Sequence, residues 1–119
     1  SATEEARRLA RAGRNERFDV ADRLGSAWYR ERESVLATVD LWRDWWREVL
    51  LATSGLEASP EAVEDAAGLT PADAVRALRA VQTAREHLLG NTSAPLALEV
   101  MMLDLPTLSL PAPSTAGVA

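Results

Sequence analysis

Cysteine is absent from the 119 residues, which excludes a disulfide framework and any thiolate metal site and fits a reducing, cytoplasmic setting. Lysine is absent too, so all 13 basic residues are arginines, and a phosphate-binding loop ending in Gly-Lys-Ser/Thr cannot be written. The six glycines stand apart from one another. Phe, Tyr and His occur once each. The one histidine, His87, has no second His four residues away and lacks the Glu-x-x-His spacing of di-iron bundles, so it reads as a surface or structural residue. Strand-forming residues never alternate over several positions, which removes the signature of a sheet. Long apolar runs are missing as well. The most apolar stretch, Val39 to Ala52, is broken by Asp40, Arg43, Asp44, Arg47 and Glu48, short of the about 20 apolar residues of a membrane span. A soluble protein is expected.

What remains is a chain rich in Ala, Leu, Arg and Glu, the composition of helices. Its 47% hydrophobic residues suffice for the core of one domain. Thr3 to Ala12 reads as a short polar first helix capped by Thr3 and ended at Gly13. Glu16 to Arg32 follows, with Phe18, Ala21, Leu24 and Trp28 at helical spacing. The third helix, Ser34 to Ser54, carries a stripe of Val35, Val39, Trp42, Trp46 and Val49, widened by Leu36, Leu41, Trp45 and Leu50, and stops at Gly55. Ser59-Pro60 opens a fourth helix to Ala67, and Thr70-Pro71 a fifth to Leu89. The fifth turns Ala74, Leu78, Val81, Leu88 and either Ala84 or Arg85 inward. A sixth, almost wholly apolar helix starts near Ser93 to Pro95 and stops before Pro106, and so apolar a helix is expected to be buried on most sides. The expected architecture is an all-α, compact bundle of five to six helices over residues 1–106, its core made by helices three, five and six. Residues 107–119 are expected to form a flexible tail. The chain begins on Ser1 rather than Met, and the expectation is an excised fragment with further domains upstream.

A search for chemistry returns no catalytic, cofactor-binding or metal-ligating set. Glu64 and Asp65 are adjacent carboxylates, but neighbours on a helix point about 100° apart, and a solvated helix face accounts for them. The net charge of -5 opposes general affinity for a phosphate backbone. Its distribution is uneven: residues 1–32 hold eight Arg against six acids, residues 33–119 five Arg against twelve, so any anion-binding face should involve the N-terminal part. A helix-turn-helix DNA reader over Pro60 to Leu78 is the alternative. Against it, the first turns of the would-be recognition helix offer Pro71, Ala72, Asp73 and Ala74, with only Arg76 and Arg79 basic. Trp42, Trp45 and Trp46 crowd one helix. Core packing is the plain account of them, and Trp45, off the main stripe, is the candidate interface anchor, together with Trp42 and Arg47.

The line Ala84-Arg85-Glu86-His87-Leu88-Leu89-Gly90-Asn91-Thr92-Ser93-Ala94-Pro95-Leu96-Ala97-Leu98-Glu99-Val100-Met101-Met102-Leu103 resembles the collar-domain end of the bacterial DNA polymerase III delta prime and gamma/tau clamp-loader family. That family commonly shows Asn-x-Asn-Pro-x-Leu-x-Leu-Glu, and Asn91, Leu96, Leu98 and Glu99 fall on its positions. Ser93, Ala94 and Pro95 depart from it, although Ser still suits a cap and Pro a first turn. The block Leu41-Trp42-Arg43-Asp44-Trp45-Trp46-Arg47-Glu48 is similar to the family's Trp-x-Arg-Asp helix, and the Trp-rich helix and short tail favour delta prime over gamma/tau. The resemblance implies a non-catalytic oligomerisation domain in a five-subunit ring, with ATPase modules upstream. Gamma/tau and delta subunits would be its partners, it would need no cofactor, and it would bind little or no nucleic acid directly. A stable contact of that kind buries on the order of 1,600 Å².

Overall fold

The computed structural model describes residues 1–90 and 93–108. Among them are six helices and no strand: α1 (Ala2–Arg11), α2 (Arg14–Ala27), α3 (Arg32–Thr53), α4 (Pro60–Ala66), α5 (Pro71–Leu89) and α6 (Ala94–Asp104). The all-α reading holds, and the punctuation explains most boundaries. Ser59 and Ser93 accept hydrogen bonds from the third residues of α4 and α6, and Thr70 and Asp73 form a reciprocal capping box at the start of α5. Each of these three helices has Pro in its first turn. α3 ends at Gly55, whose φ of 76° lets the N–H groups of Gly55 and Leu56 bond back to Ala52 and Leu51, closing the helix in a Schellman motif.

Several boundaries differ from expectation, α2 and α3 each starting two residues early, at Arg14 and Arg32. Ser1, not Thr3, caps α1, in a capping box with Glu4. α2 ends at Ala27 instead of running to Arg32. No Gly or Pro marks that break; the chain turns there, Trp28 enters the core, and the Arg32 guanidinium stacks 4.8 Å from its ring.

α5 packs against both α3 and α6, α6 lies along α2, and α3 also meets α4 and α1. The core therefore runs through α3, α5 and α6 as expected, with Leu98 and Met102 fully enclosed. α2 adds a fourth principal wall. Its close approach to α6 depends on Gly25, where a Cβ would stand 2.8 Å from Pro95 Cα. α5 reaches α3 through small residues, Ala74, Ala77, Ala80 and Ala84 all being buried. Arg85 instead turns to the rim and donates to Asp40 of α3 at 2.6 Å.

The packed body also extends past the expected boundary at 106. Leu108 is buried, its N–H donates to Ala10 O at 2.7 Å, and its side chain lies over Gly68. Of the expected tail, residues 109–119 lie outside the described residues.

Candidate functional site

Two arginine-centred arrangements fasten the polar interior and set the surface around it. Arg17, on the first turns of α2, is buried and has no carboxylate partner among the described residues. Its guanidinium donates to five carbonyls: Leu9 and Ala10 at the end of α1, and Met102, Leu105 and Pro106 at the end of α6. Those carbonyls include helix-terminal groups that the helices themselves leave unpaired, and a guanidinium has five donors to give. Burial lowers the Arg17 pKa, but arginine stays charged in proteins. The charge is offset by the negative ends of two helix dipoles.

Asp65, expected on a solvated face beside Glu64, is instead buried. It sits on the inner side of α4 and accepts from Arg7 Nε at 3.1 Å and Nη2 at 3.2 Å, and from Arg11. Burial pushes its carboxyl up, but the hydrogen bonds and charges of Arg11 and Arg7 outweigh this and hold it below its ordinary value. The Arg7 guanidinium lies 5.6 Å from the Trp45 ring centroid, so the cluster roofs the tryptophans.

That roof settles where the expected interface residues stand. Trp42 and Trp45 are buried in the chain's own packing, and the N–H groups of both indoles lack an acceptor among the described residues. Neither ring is offered to a partner. Trp45 does stand off the stripe, but α1 and its arginines cover that second face of α3. Arg47 is exposed, 3.8 Å from Asp44 on its own helix.

The family-motif positions also separate. Leu98 is core, Glu99 is half-buried, Leu96 is 53% exposed, and Asn91 lies outside the described residues. The sixth helix is buried on its inner sides, as expected, but open to solvent along one side. Leu96, Val100 (41% exposed) and Leu103 (55%) recur at i, i+4 and i+7 and form one apolar stripe facing solvent, flanked by Glu99 and Asp104. Ala97, Leu98, Met101 and Met102 face inward.

At Leu103 the stripe runs into a groove of about 420 Å³ whose walls include Gly13, Arg14, Phe18, Arg76 and Leu103. Arg76 is shared with a second open groove of about 510 Å³, which Arg79 and Asp104 also line. Arg14, Arg76 and Arg79 are exposed and make no salt bridge among the described residues. Gly13 leaves the N-terminus of α2 without a side-chain cap at the same place. An apolar strip ending among unpaired arginines can hold a side-chain surface of opposite charge.

No known protein family, curated protein or solved structure matches this chain.

The stripe and groove escaped sequence reasoning because α6 is almost wholly apolar, and only Glu99 and Asp104, flanking Leu96, Val100 and Leu103, mark the side that meets solvent. The groove unites Arg14 with Arg76, more than 60 positions apart in the sequence. The only signal for it was the surplus of arginine in residues 1–32.

Proposed function

We propose that this chain is an assembly module, the collar-type oligomerisation domain of a bacterial DNA polymerase III clamp-loader subunit of the delta prime kind. In this reading it holds neighbouring subunits in a ring while ATPase modules elsewhere do the work of opening the clamp. One observation carries the proposal. Leu96, a position of the family-like motif, heads an apolar stripe with Val100 and Leu103 that stays exposed among the described residues. Such a strip, bordered by Glu99, Asp104 and the arginines, has the anatomy of an interface centre with a polar rim. An all-helical bundle supports the same reading, since a scaffold must hold its faces in place.

The test is co-expression with delta and gamma/tau subunits followed by size-exclusion chromatography. The chain should co-elute with them. Val100→Ser combined with Leu103→Ser should weaken that association by about ten-fold or more while leaving the melting temperature within about 2 °C, because both side chains already meet water. A chain that never co-elutes with loader subunits sinks the proposal.

A further inference from the structure

The groove at the end of the apolar stripe needs a separate account. It brings Arg14 from the uncapped start of α2 together with Arg76 of α5, with Arg79 one turn further along. Arg14 and Arg76 line one depression and Arg79 the adjoining one, all three exposed and without carboxylate partners among the described residues. The positive end of the α2 dipole adds to their field. Most of the other exposed arginines of the chain have a carboxylate or a ring to rest on. These three are spare, and they sit where the apolar stripe ends.

Resting on the assembly reading above, we infer that the stripe and groove together seat one acidic amphipathic helix of a partner protein. Its apolar face would cover Leu96, Val100 and Leu103, and carboxylates in the adjoining turn would pair with Arg14 and Arg76. The dimensions agree: seven residues of helix rise about 10 Å, so an occupant needs apolar residues at i, i+4 and i+7 and then an acidic turn. Carboxylates match a guanidinium fork in bidentate geometry.

A nucleic-acid backbone is the lesser fit. The groove walls include Phe18 and Leu103, Asp104 stands in the adjoining depression, and the chain carries a net charge of -5. Phosphate binding gains its strength from many neutralised charges on a basic surface, and three arginines beside apolar walls do not make one.

Fluorescence anisotropy of the full chain with three labelled probes tests this. One is a helix-forming peptide of about 16 residues with Leu at i, i+4 and i+7 and three Glu in the next turn. The second is the same peptide with Gln for Glu. The third is a DNA duplex of about 20 base pairs. The Glu peptide should bind at least about five-fold tighter than the Gln peptide, and Arg14→Ala with Arg76→Ala should erase that difference. Val100→Ser should weaken both peptides. The arginine variants should keep the wild-type melting temperature, since both side chains are exposed and make no salt bridge among the described residues.

Equal binding of the two peptides removes the groove's role and leaves the apolar face standing. Duplex binding tighter than either peptide, and lost in the arginine variant, reassigns the groove to nucleic acid. Binding of neither peptide overturns the inference altogether. A loader complex that never forms, by contrast, removes the assembly reading whatever the peptides do.

Discussion

Single residues in this chain change meaning with their burial, and Asp65 does so most. In the sequence it follows Glu64 and looks like its twin, yet one carboxylate faces water and the other is enclosed with two arginines. Because the folded Asp65 is held below its ordinary value near 3.8, its contribution to stability is complete above that pH and is lost as pH falls through the lower folded value. Wild-type chain should therefore lose stability on acidification below about pH 4. Asp65→Asn should already be less stable at pH 7, by about 1–3 kcal/mol, since Arg7 and Arg11 are left facing a neutral group. Its acid limb should be flatter. Urea denaturation at pH 7 and pH 3 reads both effects, and parallel loss in the two proteins would refute the assignment. Arg17 was equally hidden. Nothing in Arg-Asn-Glu-Arg distinguishes the arginine that bonds five carbonyls from the one that lines a groove, since only the meeting of two distant helix ends creates the acceptors.

At the scale of elements, the sequence was largely readable because its signals are local. Ser-Pro, Thr-Pro and Gly place most of the helix ends, and heptad-like spacing gives the inner face of α3. It failed where the cause was tertiary. The end of α2 is set by Trp28 entering the core, and the solvent side of α6 is chosen by where α2 and α5 happen to lie. The α2–α6 contact is the least forgiving of these junctions. Gly25→Ala places a methyl group against the Pro95 backbone, not against a side chain that could swing aside. The helices must separate, and a cost of about 1–3 kcal/mol follows, as for other overpacked sites. The intrinsic helix preference of Ala over Gly works the other way by only about 1 kcal/mol. A rise in melting temperature for Gly25→Ala would show that the approach is looser than described.

For the whole molecule, the question is where the fold closes. Leu108 bonds to the end of α1 and fills the space over Gly68 after α4, so the segment after α6 straps three elements together. A chain ending at Pro106 should be less stable than one ending at Leu108 by about 2–3 kcal/mol, the worth of a buried leucine and one backbone hydrogen bond. Comparing thermal melts of the two truncations decides it, and identical melts would mean the strap is ornamental. The same closure bears on how the chain is made. Arg17 emerges from the ribosome before its acceptors, since the carbonyls of Met102, Leu105 and Pro106 that it needs are translated 85 or more residues later. Until then its charge has to remain hydrated, which keeps the start of α2 from settling on α1. Native structure of this bundle is thus deferred until α6 has been made, and a nascent chain stalled before residue 102 should remain open to protease at α1 and α2.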